Sequence, residues 1–344
     1  MSDIVTLVHG SGARETFDLI MKTIVSKVPE RLRKVNGGMG IDVLDDGAVI
    51  PIGDKYLVIT MDSYTVKPIF FPGGSIGTLA ISGTINDLVV MGARPIAIMD
   101  SITVEEGFEL NVLEKIVNDM IDLLKKYDIP LIGGDFKVMP RGNLDKIIIT
   151  TTGIGLAQNP IVDTRIRIGD KIIVTDPIAS HGAVIIASQL GLLDNIKNIK
   201  SDAKPLIDAL LPVIEKYGEH IHAARDPTRG GIASILNEWA INNDVTIVID
   251  RSKIPIEPEV RAFLEALGID FLSVASEGVA ILAVDPQYSD DIVNELRSRG
   301  CKAEIIGEVV KPQSELLKGK VIAITEIGGR TIVASRGLNL PRIC

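Results

Sequence analysis

The chain has 344 residues, 46% of them hydrophobic and 24% charged, with a formal net charge of −9. That length exceeds what a single core usually serves, so a soluble protein of two domains is expected. The acidic balance argues against nucleic acid or an anionic membrane surface as main partner, and no apolar run reaches membrane-spanning length.

The opening "MSDIVTLVHGSG" lacks the basic and apolar regions of a signal peptide. Residues 13–27 place Phe17, Ile20, Met21 and Ile24 at helical spacing. "YLVITMD" (56–62) reads as a buried strand ending on an acid, and 76–91 as a helix with Ala80, Gly83 and Asp87 along one face. "LEKIVNDMIDLLKKY" (113–127) is an amphipathic helix, followed by strands at 129–135 and 146–155. Periodicity is lost over 156–170, which contains Pro160 and marks a boundary between domains 1–157 and 158–334.

The second half opens on "GDKIIVTDP" (169–177), a short echo of "GDKYLVITMD" (53–62). Helices are expected at 181–190, 203–217, 232–241 and 287–300, and strands at 245–250 and 278–284. This alternation predicts an α/β fold with α+β layering, its mixed sheets flanked by helices. A tail, 335–344, carries Gly337 as a flexible point and Leu338, Leu340 and Ile343 as apolar pegs.

The usual nucleotide signatures are absent. There is no G-x-x-x-x-G-K-[ST] loop and no G-x-G-x-x-G after a strand. Cys301 and Cys344 can form neither a zinc cage nor a disulfide framework, which fits a reducing cytosol and predicts a cytoplasmic protein. Cys301 reads as a small core residue. Cys344 is the last residue, so the prenylation pattern, with cysteine fourth from the end, does not account for it.

What stands out is a series of acids at strand ends or beside glycines: Asp45 and Asp46 in "LDDGA", Asp62 in "TMDSY", Asp87 in "TINDL", Asp135 in "IGGDFK" and Asp226 in "RDPTRGG". A lone aspartate in such a place usually caps a helix or a turn. A recurring set suits Mg²⁺, a hard cation able to bridge carboxylates and the phosphates of ATP. Gly73 and Gly74 in "FFPGGSIG", and the glycines of "TRGG", precede helices whose free N–H groups favour phosphate, and Arg229 adds a cation.

Taken in order, "HGSGAR", "LDDGA", "TMDSYTVKPIFFPGGSIG", "GTINDLVVMGARP", "GGDFKV", "TTGIG", "RDPTRGG", "SEG" and terminal "PRIC" resemble the HypE carbamoyl dehydratases of hydrogenase maturation. That family lies within the PurM-like (AIR synthetase-like) superfamily. The resemblance runs from about residue 7 to 344. The acid pattern alone would also suit a small-molecule kinase of the superfamily, and "PRIC", "FFPGG" and "DPTRGG" favour the dehydratases. Ala13 stands where the family usually has a second glycine, and Gly47 where an alanine is usual.

The resemblance implies a two-domain PurM-like homodimer with ATP and Mg²⁺ on Asp45, Asp46, Asp62, Asp87, Asp135 and Asp226. It adds Ser11, Gly12, Gly73 and Gly74 as nucleotide contacts. Cys344 is then S-carbamoylated by HypF and dehydrated to a thiocyanate, whose cyanide passes to iron on a HypC–HypD scaffold. Lys137 and Arg229 are implied as cations and Glu277 as base. The rival readings are a PurM-like small-molecule kinase and a non-catalytic thiol carrier.

Overall fold

The computed structural model describes residues 4–196, 198–335 and 343–344. Most of the expected mobile tail, including Leu338 and Leu340, lies outside the described residues. The chain opens with α1 (Arg14–Thr23), then β1 (Ala48–Ile52), β2 (Lys55–Tyr64) and the small hairpin β3 (Phe70–Phe71) and β4 (Gly74–Ser75). Next come α2 (Ile76–Val90), β5 (Arg94–Glu105), α3 (Leu110–Tyr127), β6 (Leu131–Met139) and β7 (Ile147–Ala157). The five longer strands form one sheet in the order β1-β2-β7-β5-β6, antiparallel except for the parallel pair β5 and β6.

The helix α2 organises this half. Ser75 caps it, its hydroxyl taking the Thr78 N–H at 3.3 Å while Thr78 Oγ1 takes the Ser75 N–H at 2.8 Å. Every α2 residue except Thr78 is buried, so the helix is enclosed all round and lies between β2, β7 and α3. Small residues make the close approaches possible. A Cβ on Gly77 would sit 2.4 Å from the Ile116 carbonyl oxygen on α3, and one on Gly83 2.3 Å from the Tyr64 hydroxyl.

The second half is built from β8 (Lys171–Val174), α4 (Ser180–Leu190), α5 (Leu211–Tyr217), β9 (Ile221–Arg225) and α6 (Gly231–Asn242). It continues through β10 (Thr246–Asp250), α7 (Pro258–Ala266), β11 (Ile281–Val284), α8 (Ser289–Ser298), β12 (Glu304–Val310), β13 (Lys320–Ile324) and β14 (Arg330–Val333). Its seven-stranded sheet runs β14-β13-β10-β12-β8-β11-β9, with only β10 and β13 parallel. The mixed sheets flanked by helices match the expected α/β class.

One hydrophobic cluster joins both halves, from Tyr64 and the α2 face through to Ile343, so that apolar peg is seated in the core. Polar groups tie the same seam. Asn86 on α2 donates to the Glu277 carbonyl at 2.8 Å and the Lys204 carbonyl at 3.1 Å, and accepts the Leu206 N–H at 2.8 Å.

That pairing explains one departure from expectation. The helix expected over 203–217 begins only at Leu211, because 204–206 is held to Asn86 and Pro212 suits a first turn, where no N–H is needed. The echoing segments both become strands, β2 and β8. Adding a methyl group at the α2–α3 crossing should be costly. Gly77→Ala is expected to lower stability by about 1–3 kcal/mol, read as a fall in the urea midpoint, and an unchanged midpoint would contradict this packing.

Candidate functional site

The acids converge from three separate pieces of backbone. Asp46 lies in the loop before β1, Asp87 on the buried face of α2, and Asp226 just beyond β9. Carboxylate oxygens of these three residues all lie within 4.8 Å of one another. Burial raises the pKa of each, before any neighbour acts. Asp46 and Asp87 are pushed well above the ordinary carboxylate range, and Asp226 rises to about 7, with the Asp62 charge adding to the effect. Asp62 at the end of β2 is also raised by burial, with Arg229 opposing. Asp46 Oδ2 and Asp226 Oδ2 are buried with no hydrogen-bond partner. Orphaned, mutually repelling oxygens at this spacing fit a divalent cation.

One guanidinium holds the outer side of the cluster. Arg225 Nε lies 2.8 Å from Asp46, and its Nη atoms lie 3.1 Å from Asp163, 3.6 Å from Asp45 and 3.5 Å from Glu238. Asp45 also accepts the Asp163 N–H at 3.1 Å and the Asp46 N–H at 2.9 Å, so it shapes the loop and is not one of the three converging acids. Thr60 Oγ1 stands 2.5 Å from Asp87 and 2.9 Å from the Asp46 carbonyl.

These acids floor a cavity of about 660 Å³, within the size range of small-molecule sites. Arg31, Arg33, Lys34, Met39 and Ile41 form part of its wall, and Thr228 and Arg229 border the acids. The sequence reading missed the first five and Arg225. The basic run "RLRK" was the available signal for the cationic wall.

A second group adjoins the acids. Cys344 is docked, its main-chain oxygen receiving the Thr65 N–H at 3.1 Å and lying 3.2 Å from Thr65 Oγ1. Its thiol feels Arg229, Glu277, Asp62 and Asp226, and burial first, then the carboxylates, push its pKa far up despite Arg229. The Arg229 guanidinium faces Cys344 first and then Asp62 and Glu277, and these neighbours hold it charged against its own burial. Glu277 is fully buried, with one orphan oxygen and a pKa raised well above normal by burial and by Asp226, Asp202 and Asp62.

Other expected site residues fall elsewhere. Asp135 and Lys137 lie exposed on the edge strand β6, paired to each other, and among the described residues no hydrogen bond or ion pair links them to the acid cluster. Gly73 (φ +99°) packs on Ser201 and Gly74 on Phe71, and neither lines the acid-floored cavity. Gly12 (φ +74°) packs on Arg229, Ser234 donates to its carbonyl at 2.8 Å, and Ser11 Oγ is buried without a partner. Ala13 is extended at φ −107°, so alanine in place of the family's glycine is unstrained. Cys301 is buried, its thiol raised by burial to about 11, as suits a core residue.

The AIR synthase related protein N-terminal domain matches residues 44–157, and the corresponding C-terminal domain matches 167–320. A putative hydrogenase expression/formation protein of Methanocaldococcus jannaschii is 43% identical over 99% of both chains. The carbamoyl dehydratase HypE of Rhizobium leguminosarum is 37% identical over 99% of this chain and 95% of that one. The chain belongs to the HypE family. Among solved structures, HypE in a HypE–HypF complex superposes with a TM-score of 0.82 at 33% identity, covering 91% of this chain and 98% of that one. HypE in complex with ATP gives 0.79 at 34% identity, covering 99% and 100%.

The buried acids give a pH signature. A carboxylate raised from 3.8 to about 7 in the folded state adds stability at low pH, and that stability is lost as pH rises through the folded value. In metal-free protein, Asp226→Asn should therefore raise stability at pH 8 by about 1–3 kcal/mol and flatten the decline between pH 5 and 8. Thermal melts in chelator across that range check it, and a variant no more stable than wild type at pH 8 would show that Asp226 is not a repelled, buried charge.

Proposed function

We propose that this chain is an ATP-dependent carbamoyl dehydratase of [NiFe]-hydrogenase maturation, converting an S-carbamoyl group on Cys344 to a thiocyanate that supplies cyanide for iron. The observation that carries the reading is Cys344 docked among Glu277, Arg229 and the acids that floor the cavity. A small-molecule kinase has no need of its own thiol at that place.

A carbamoyl oxygen is a poor leaving group, and phosphorylation makes it a good one. The carbonyl oxygen attacks the γ-phosphorus of ATP, ADP departs, and one N–H proton is lost to give an O-phosphorylated imidate. Removal of the second N–H proton then expels phosphate and leaves S–C≡N. Glu277 suits the proton removal, because burial among acids makes its carboxylate a stronger base. Arg229 offsets charge developing on the transferred group. Asp46, Asp87 and Asp226, with Asp62 beside them, would hold Mg²⁺, which supplies charge neutralisation for the phosphates.

The docked thiol itself is protonated and a poor nucleophile, so carbamoylation takes place with Cys344 out of the dock. HypF is the expected carbamoyl donor and HypC–HypD the cyanide acceptor. Asp135 and Lys137 would complete the site from β6 of a second copy, an arrangement supported by that strand's exposed Ile132, Phe136 and Val138. Domains of 1–157 and 158–334 and a cytoplasmic location belong to the same proposal. Among the described residues no helix is long and apolar enough to cross a membrane.

Glu277→Gln should accept the carbamoyl group and accumulate it, with thiocyanate formation slowed by about 10²- to 10⁴-fold. Mass analysis of the Cys344 peptide after incubation with carbamoyl phosphate, HypF and ATP measures both species, and thiocyanate at the wild-type rate would remove Glu277 from the role of base. Cys344→Ala should bind ATP and melt like wild type yet take up no carbamoyl group. A carbamoyl adduct on another residue of that variant, followed by loss of water, would overturn the assignment of the carrier.

A further inference from the structure

The residue before the cysteine is held by a group that the proposed chemistry leaves unused. His181, in the first turn of α4, is completely buried, and its Nε2 lies 2.7 Å from the Ile343 carbonyl oxygen. A carbonyl can only accept, so Nε2 carries the hydrogen. Nδ1 must then accept, and the Ser201 hydroxyl at 2.8 Å supplies the proton. Ser201 Oγ in turn receives the Ala203 N–H at 3.1 Å, which leaves its own hydrogen free to face the imidazole. The chain of donors therefore selects one tautomer. Burial lowers the imidazole pKa to about 4, so the ring stays neutral around pH 7 and the tautomer persists.

The ring is also braced mechanically. Phe71 meets it edge-on, with centroids 5.3 Å apart. Ser201 is fixed by its N–H to the Pro72 carbonyl at 2.8 Å, and Gly73 approaches so closely that a Cβ there would lie 2.9 Å from the Ser201 nitrogen. The glycine of "FFPGG" thus serves the tail dock through Ser201 and His181. From the other half of the molecule, Thr65 meets the Cys344 main-chain oxygen with both its N–H and its hydroxyl. Consecutive main-chain oxygens are therefore caught from two sides, and Ile343 is sunk in the core between them.

We propose that His181 and Thr65 form a two-point clamp that reads the main-chain oxygens of residues 343 and 344, and so sets the register in which the cysteine side chain faces Arg229 and Glu277. His181 is a positioning residue: its ring nitrogens are engaged by Ile343 and Ser201, and it acts through Ile343. The inference rests on Cys344 being the carrier.

Alkylation of Cys344 by iodoacetamide, followed by mass analysis of the C-terminal peptide, reads docking directly and needs no turnover. His181→Leu keeps the bulk and loses the donor, whereas His181→Gln keeps an amide N–H. Losing one neutral hydrogen bond is expected to speed alkylation by about three- to tenfold in the leucine variant, with thiocyanate formation slowed to match and ATP affinity unchanged. The glutamine variant should recover most of the protection. Unchanged alkylation in a folded leucine variant, or equal loss in both variants, would overturn the clamp. Should the leucine variant not fold, Thr65→Val removes only the hydroxyl donor; faster alkylation there would support the clamp and an unchanged rate would overturn it. Wild-type protein that protects its thiol but makes no thiocyanate would sink the enzymatic reading while supporting the clamp.

Discussion

The architecture turns on burying several carboxylates in one place. At an effective dielectric of about 20, two like charges 4 Å apart repel by about 4 kcal/mol, so Asp46, Asp87 and Asp226 cannot all be ionised together without a counter-charge. Arg225 supplies one, reaching Asp45, Asp46, Asp163 and Glu238 from the end of β9. Its position immediately before Asp226 means that one strand delivers both the cation that steadies the loop and an acid of the site. Asp46 and Asp226, which line the cavity, each keep one buried oxygen without a partner. The protein is thus built slightly over-acidic on that side, and the cation proposed for this cluster would complete the balance.

That constraint explains why the two halves are fused so tightly. Asp87 comes from α2 in the first half, while Arg225 and Asp226 come from the second, so any slippage between the halves would separate the charges. Asn86, next to Asp87 on the same helix, bonds across the seam to Lys204, Leu206 and Glu277. Neighbouring residues on one helix turn thereby place both a cluster acid and the backbone of the buried glutamate. The small residues that let α2 sink between β2, β7 and α3 are what bring it within reach.

Much of this was legible in the sequence, for identifiable reasons. The helix 76–91 and the strand 56–62 were clear because apolar runs of those lengths between turn signals have few other solutions. Acids at their ends marked a site. The long strand β5, "RPIAIMDSITVE", was not read, since Pro95 and Asp100 break its apolar pattern and only pairing with β6 and β7 makes it a strand. Arg225 was passed over because nothing in "HAARDP" distinguishes a surface arginine from one drawn inward by acids such as Asp163, 62 residues away in the chain. His181 was unreadable for a similar reason. Its meaning depends on Ile343, which lies on the far side of a whole domain.

Glu277 shows how position turns an unfavourable burial into usable basicity. Its backbone is pinned at both ends, the N–H donating to Asp202 at 2.8 Å and the carbonyl receiving Asn86 at 2.8 Å. The side chain therefore cannot retreat to solvent to relieve its own desolvation. Asp226, Asp202 and Asp62 raise its proton affinity further, and only Arg229 among its named neighbours opposes them. In the proposed reaction a base so raised would hold its proton tightly once taken, favouring abstraction from a weakly acidic imidate N–H. It must also be ionised before reaction, and Arg229 and any cation held by the cluster shift it that way. The residues that bind phosphate would then also arm the base, so proton removal becomes effective when the nucleotide site is filled and the cysteine is clamped beside it.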